Sequence, residues 1–407
     1  MEEALSLESR LWAHARRAPN GEIVWPNPVH GAGGEAVRLR PHLYDGVAGV
    51  ALFLAAVAYL TEPEERREHI LACLAPLRRE LRQLADGQGT ARALPLTLGA
   101  LTGLGAYIYS FLLMSRWLAE PQLLEEAADL SALITLETIA ADERLDVMSG
   151  SAGALLALLV LDRMAPDARR EGVAPLERAL ACGEHLLDRR AGPQGQPRAW
   201  PAQGRPLSCG FVHGATGIAC ALAGLAARTG EARFLEAAEE AVAFERLHYS
   251  PEHGNWLFSS DGSEPRFVSG WCSGAPGIAL GRLAMLPLLD GPEDREEIAG
   301  ALRTTMAPSD APLDFLCCGE MGKAEVLLYA HQVLGEEGFR TAADGIASQV
   351  VSRSRDQGGQ YRFFPPGDDR FNLSFFKGAA GIGYTLLRLA RPGLLPCVLR
   401  LEWNGTA

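Results

Sequence analysis

Three features of the chain predict an all-α toroid of seven helical hairpins, an (α/α)7 barrel with seven inner and seven outer helices. They are a glycine motif that recurs seven times, an apolar run after each recurrence, and a charged amphipathic segment between successive recurrences. Two glycines three residues apart lead into apolar residues at DGVAGVAL (45–52), SGSAGALL (149–156), HGATGIAC (213–220), SGAPGIAL (273–280), CGEMGKAE (318–325) and KGAAGIGY (377–384). A degenerate copy, GALTGLGA (99–106), reads with Ala100 in the first glycine's place and only Gly103 kept. Copies follow one another at roughly 45–65 residues, the length of a helical hairpin.

The stretch after each glycine pair is apolar nearly all round, as in GIACALAGLAA (217–227), which predicts a helix buried on every side. These are the inner helices. Segments 5–18, 64–84, 123–139, 175–190, 231–247, 293–306 and 339–353 carry charges at helical spacing and predict the outer ones. In EARFLEAAEEAVAFERL (231–247), Phe234, Leu235, Ala238, Val242 and Leu247 fall near one face, and Glu236, Glu239, Glu240 and Glu245 near the other. One outer segment precedes each inner one, giving seven pairs. Repeats that bury their apolar faces only against neighbours stack into a solenoid or close on themselves, and inner helices with no polar capping repeat favour closure. Residues 1–407 therefore read as one domain. The glycines permit a tight turn and close backbone approach where each inner helix begins, which gathers all seven inner N-termini at one end of the ring. A site is expected at that mouth.

Composition excludes several alternatives. Hydrophobic residues at 48% and charged residues at 22% are those of an ordinary globular protein with a large core. The net charge of -12, from 38 Lys+Arg against 50 Asp+Glu, and the lack of a basic block argue against nucleic acid and suit a neutral or cationic partner. The longest apolar runs, 47–60 and 149–161, fall short of the ~18–20 residues a membrane-spanning helix needs, so no membrane insertion is expected. The N-terminus MEEALSLESRLWAHARRA lacks the cationic start, apolar core and small-residue cleavage site of a secretory signal, and a cytoplasmic location is expected. Eight cysteines in such a chain read as thiols or metal ligands rather than a disulfide framework, with Cys73, Cys182 and Cys220 in apolar helical context as plain core residues.

Alignment on the first glycine sorts the residues at the mouth. Asp45, Ser149, His213, Ser273, Cys318 and Lys377 stand at minus one, Cys272 and Cys317 at minus two, and Asp146 at minus four. Three of the eight cysteines thus converge, and the adjacent pair Cys317–Cys318 cannot easily bridge itself. Helix N-termini stabilise thiolates. Three soft ligands are one short of a tetrahedral set, the pattern of a zinc with an open position; buried structural thiols, or a closed site with a fourth ligand, are the other readings. His213 reads either as an acid or base or as a hydrogen-bonded structural residue. Asp146, in LDVMSG, reads equally as a helix N-cap. Trp271 reads as wall packing, and Lys377 as a solvated rim charge.

GWCSGAPGI (270–278), LCCGEMGKAEVLL (316–328), FVHGATGI (211–218) and LDVMSGSAG (145–153), together with the seven glycine copies, resemble the LanC-like lanthionine synthetase cyclases. LYDGVAGVALFLAAVA (43–58) and GAAGIGYTLLRLARPGLLPCVLRLE (378–402) look especially like the C-terminal cyclase domain of class II lanthipeptide synthetases. The resemblance implies an α/α toroid with one zinc, where a cysteine of a dehydrated precursor peptide (leader plus core) adds to dehydroalanine or dehydrobutyrine and closes a thioether ring. It assigns the zinc ligands to Cys272, Cys317 and Cys318, the general acid/base to His213, and a nearby active-site carboxylate to Asp146. Cys318 takes the place where the family more commonly has histidine, as in a subgroup with three cysteine ligands. Three thiolates and Zn²⁺ sum to -1, which predicts a more nucleophilic bound substrate sulfur than at a neutral histidine-containing site.

Two departures stand out. Many relatives have an arginine four residues before the first zinc cysteine, whereas this chain has Val268 there, with Arg266 nearest and Lys377 a speculative substitute. The large dehydratase of class II enzymes has no counterpart in these 407 residues, so a separate dehydratase protein or domain is the expected partner. A zinc-bearing scaffold that holds a thiol or peptide without catalysis is the alternative function. A glycosidase toroid would need paired carboxylates at the mouth, where only Asp45 and Asp146 stand.

Overall fold

A computed structural model describes residues 1–17, 22–26, 39–61, 64–87, 97–258, 266–309 and 312–402. The inner helices are α2 (Val47–Thr61), α4 (Leu104–Trp117), α7 (Ser151–Met164), α9 (Ala215–Thr229), α11 (Ala275–Met285), α13 (Glu320–Leu334) and α15 (Ala379–Ala390). The outer helices are α1 (Glu2–Ala13), α3 (Glu64–Ala85), α5 (Pro121–Ser131), α8 (Pro175–Asp188), α10 (Ala232–Arg246), α12 (Pro292–Met306) and α14 (Glu337–Asp356). A short helix, α6 (Leu136–Ala140), two 3-10 turns (Ala202–Gly204 and Val398–Arg400) and two antiparallel ribbons of two-residue strands complete the regular structure among the described residues.

Each inner helix packs against the next, and α15 packs against α2, so the ring closes. Closure follows from sequence: in α2 every residue from Ala48 to Ala58 is buried, and a helix apolar on all sides needs neighbours on all sides. The hairpins differ from expectation in one respect. Among the outer helices, each of the first six inner helices packs most extensively on the one that follows it, and α15 packs on α1. The first outer helix therefore completes the last repeat, and the N-terminal segment fastens the ring shut. The expected outer segment 123–139 is also broken: α5 ends at Ser131, and Thr135 and Thr138 form a reciprocal capping box that starts α6.

The glycines behave as spacing predicts, since a Cβ on Gly217 would stand 1.8 Å from the Phe211 carbonyl oxygen, and one on Gly322 1.9 Å from that of Leu316. Only glycine fits where the chain doubles back so tightly. The degenerate second copy is registered differently from its reading in sequence. Gly103, not Ala100, takes the first glycine's place: it is the N-cap of α4, and Leu104 N–H donates to Thr97 as Val47 does to Arg40 and Ala379 to Asn372. Thr102 is therefore the minus-one residue of that copy. Gly99, which suggested the other register, instead makes close contact with the Ser149 backbone.

A closed circuit of backbone hydrogen bonds joins the seven turns at the mouth. Tyr44 N–H donates to Leu101 (3.0 Å), Leu101 to Met148 (3.2 Å), Val147 to Val212 (3.1 Å), Val212 to Cys272 (3.2 Å), Cys272 to Cys317 (3.4 Å), Cys317 to Phe376 (2.9 Å) and Phe376 to Tyr44 (3.0 Å). Turns that would otherwise bury unpaired peptide groups satisfy one another in this way. The same circuit sets the spacing of the side chains just before each glycine.

Candidate metal and acid–base site

Cys272 and Cys317 occupy neighbouring positions of this circuit, and Cys318 follows Cys317. Their sulfurs converge, with Cys272 Sγ 3.6 Å from Cys318 Sγ, Cys318 Sγ 3.5 Å from Cys317 Sγ, and all three ligand atoms within 4.8 Å of one another. These distances are far beyond a disulfide bond of ~2.05 Å. They lie near the ~3.8 Å that tetrahedral coordination at ~2.3 Å imposes on a pair of thiolates. Three soft donors at this separation could hold a thiophilic metal ion and leave a position open. Cys272 is half-buried, Cys317 buried and Cys318 exposed, so the group is reached from the mouth.

The three thiols do not have equal environments. Hydrogen bonds from Cys272 and then Cys317 hold the Cys318 thiol down to about 3, with the Lys377 charge assisting. Hydrogen bonds to Cys272 and Cys318, followed by burial, push Cys317 well above the usual thiol range. Helix N-termini alone would lower all three. Hydrogen bonds among the sulfurs instead shift Cys317 and Cys318 in opposite directions, and a bound divalent cation would draw the thiol protons off. Cys73, Cys182 and Cys220 are buried, and burial raises each of them, Cys73 and Cys220 to about 12, as core thiols require.

Tyr44 stands at minus two of the first copy and donates its hydroxyl to Cys317 Sγ at 3.1 Å. Burial, then Cys317, raises this phenol far above its usual range, so the proton stays in place. The ring stacks on Phe376 (5.2 Å between centroids), and Phe376 stacks on the fully buried Trp271 (4.9 Å). Trp271 is wall packing, as expected. Lys377 is exposed, with its ammonium 5.8 Å from the Tyr44 ring centroid.

In the fourth copy, beside Cys272 in the circuit, His213 Nδ1 lies 2.7 Å from Asp146 Oδ2. Asp146 is fully buried, and its other oxygen accepts the Ser149 N–H at 2.8 Å. Gln203 Nε2 donates to the same Asp146 Oδ2 at 2.7 Å. The carboxylate thus fixes the imidazole so that Nδ1 carries the hydrogen and Nε2 is free to give or take a proton. The capping role open to Asp146 in sequence belongs instead to Asp142, whose Oδ2 accepts Ser151 N–H (2.7 Å) and Oγ–H (2.6 Å) at the start of α7. Leu145 and Gln203, flanking this pair, adopt left-handed backbone angles (φ 61° and 57°) that such residues rarely take. Strain of this kind persists where surrounding structure enforces it.

The remaining rim is polar. Thr102 and Ser149 share a hydroxyl–hydroxyl bond of 2.8 Å, and Asp45 lies 3.4 Å from His42 Nε2 and 3.6 Å from Arg40. Asp45 and Asp146 are not paired with each other. Position 268 contributes a backbone carbonyl that accepts Asn255 Nδ2 (3.1 Å), while Arg266 is exposed. Tyr44 and Thr102 share the register of the cysteines and of His213, a signal available in sequence once the copies are correctly aligned. Gln203 has no such signal, because its position depends on a positive φ between distant segments.

A closed seven-hairpin α/α toroid with three thiols that could hold a metal ion and a carboxylate-held histidine at its mouth defines the class: a helical barrel with its polar site at the inner-helix N-termini. The chain belongs to the lanthionine synthetase C-like protein family, which it matches over residues 38–400. Among solved structures it is similar to a nisin cyclase, at 17% identity and a TM-score of 0.64, covering 89% of this chain and 92% of the other. It is also similar to a GH76 α-mannanase from Bacteroides thetaiotaomicron (9% identity, TM-score 0.52, covering 96% and 94%). A third is the GH76A α-1,6-mannanase from Salegentibacter sp. HEL1_6 (11% identity, TM-score 0.51, covering 96% and 98%). At such identities the likeness concerns the fold. No curated protein sequence matches the chain significantly. No helix among the described residues is long and apolar enough to cross a membrane.

Proposed function

We propose that this chain is a zinc-dependent peptide cyclase that forms lanthionine or methyllanthionine by adding precursor-peptide cysteines to dehydroalanine or dehydrobutyrine. The observation that carries this reading is the convergence of three thiols within 4.8 Å beside a His213–Asp146 pair at the mouth of a LanC-like toroid. Cys272, Cys317 and Cys318 would hold one Zn²⁺, which when bound supplies a Lewis acid that makes a substrate thiol acidic near neutral pH.

The reaction is an addition without net change of mass: a carbon–sulfur bond forms at the β-carbon, the carbon–carbon double bond is lost, and a proton ends on the α-carbon. His213 holds that proton at Nε2 and delivers it, while Asp146, bonded to Nδ1, keeps the ring in the right tautomer and orientation. Gln203 steadies the carboxylate. The rim hydroxyls of Thr102 and Ser149 suit a peptide of varied sequence. The substrate is a dehydrated leader-plus-core peptide made by a separate dehydratase protein or domain, residues 1–407 act as one cyclase domain of the class II kind, and the work is done in the cytoplasm.

Incubation of the zinc-loaded protein with a dehydrated precursor peptide tests this reading. Loss of free peptide thiol at constant mass, with a thioether found by fragmentation, is the expected result. A zinc-bearing scaffold without catalysis is favoured by one observation, the lack of an arginine at position 268. Thiol capture reversed by a chelator, with no thioether, would establish that alternative.

A further inference from the structure

Tyr44 occupies in the first copy the place that Cys272 and Cys317 occupy in the fifth and sixth, two residues before the leading glycine. Its main chain is held on both sides by the backbone circuit, donating to Leu101 and accepting from Phe376, each at 3.0 Å. Its ring lies nearly parallel to that of Phe376, at an angle of 12°, and Phe376 lies on Trp271 at 16°. Packing therefore fixes where the phenol points, and its hydroxyl ends 3.1 Å from Cys317 Sγ. The Lys377 ammonium stands 5.8 Å from the same ring's centroid.

A hydroxyl that donates to a thiolate draws electron density from the sulfur, and partners of this kind govern how tightly and with what reactivity a metal is held. The need is greater here than at a site with two thiolates and a neutral imidazole, because three thiolates around a divalent cation leave one negative charge over. A cation over the ring face is attracted to it and strengthens the polarity of the O–H bond beneath.

We propose that Tyr44 is a positioning residue for the metal centre: its hydroxyl donates to Cys317 Sγ and, with the Lys377 ammonium over its ring, offsets the surplus negative charge of a three-cysteine donor set. This inference rests on the functional reading above, in that Cys317 is a metal ligand. It differs from simple packing, because the ring alone would serve to fill the space against Phe376.

Tyr44→Phe keeps the ring and removes the donor. The metal-free wild type and variant are titrated with Co²⁺, following the sulfur-to-cobalt charge-transfer band, and with Zn²⁺ in competition with a chromophoric chelator. The variant is expected to bind one ion, with the band moved to lower energy and zinc affinity reduced about 10-fold or more. Its metal-free unfolding midpoint is expected to fall only slightly, by less than the loss of zinc affinity would require. Lys377→Met should move the band in the same direction by less, and Lys377→Arg should restore it. An unchanged band and affinity in Tyr44→Phe, or a fall in metal-free stability that accounts for the loss, would overturn the proposal. A wild type that takes up no metal overturns the functional reading and this inference together, whereas a one-ion wild type with an indistinguishable variant overturns this inference alone.

Discussion

Position 318 joins the two chemical features of the mouth, since its sulfur lies within 3.6 Å of both other thiols and feels the charge of Lys377. Replacing it with histidine removes one negative charge while keeping a metal ligand. Cys318→His, with zinc retained at one per chain, is expected to slow ring closure, as measured by single-turnover thiol loss; an equal rate would refute the charge argument. Cys272→Ala, Cys317→Ala and Cys318→Ala should each lower bound zinc below one per chain by elemental analysis. His213→Ala should keep its zinc and lose about 10²–10⁴-fold in ring formation. Zinc loss in that variant would make His213 a ligand instead. Asp146→Asn should also retain zinc and slow the reaction, because the imidazole loses the carboxylate that fixes its tautomer. These side chains were legible in sequence through their fixed offset from a glycine. Gln203 was not, because its approach to Asp146 depends on a left-handed residue that local sequence does not announce.

Inner helices begin at glycine; the first N–H of α2, α4, α9, α13 and α15 donates to a backbone carbonyl of the preceding turn, and in α7, α9 and α11 side chains brought from elsewhere take N–H groups of the first turn. Asp142 serves α7, and Glu245 of α10, fully buried, accepts from Thr216 N–H in α9 and Gly210 N–H, each at 3.1 Å. Asn255 Oδ1 takes the Ala275 N–H of α11 at 2.8 Å. Asp142→Ala should cost about 0.5–2 kcal/mol in denaturant unfolding, the value of a lost cap. Gly322→Ala should cost about 1–3 kcal/mol, since its Cβ would meet the Leu316 carbonyl at 1.9 Å and either the turn or α13 must shift. That shift would carry Cys317 with it, so the same variant should bind zinc more weakly. The glycine periodicity made the seven starts readable, while the second copy misled because Gly99 and Gly103 serve different packing needs.

Across the molecule, closure depends on contacts between the ends of the chain. The α1 helix packs on α15, and the segment 395–402 packs against inner helices: Tyr384 Oη–H donates to the Pro396 carbonyl (2.9 Å) and Tyr109 Oη–H to that of Glu402 (3.0 Å). Arg388 of α15 and Glu325 of α13, both 1% exposed, pair across neighbouring inner helices. Glu325→Ala removes the carboxylate paired with that buried guanidinium, leaving it hydrogen bonds to Gln332 and the Leu395 carbonyl, and should lower stability by about 3–5 kcal/mol, read from the unfolding midpoint. Zinc bridging the fifth and sixth copies should add to this closure, contributing about 2.7 kcal/mol when free zinc is 100 times the dissociation constant, an increment that a chelator removes.

Sequence alone determined the number of hairpins, the assignment of inner and outer helices, and the set of thiols and the histidine at the mouth, because each follows from local periodicity and from an offset to a glycine. Tertiary structure decided the rest. Which outer helix completes which inner one, the true register of the second copy, the partnership of Asp146 with His213 rather than with a helix end, and the hydroxyl of Tyr44 on Cys317 all depend on closing the ring. Closure brings together residues that no local period relates: Tyr44 and Cys317 are 273 positions apart and meet only because the last inner helix packs against the first.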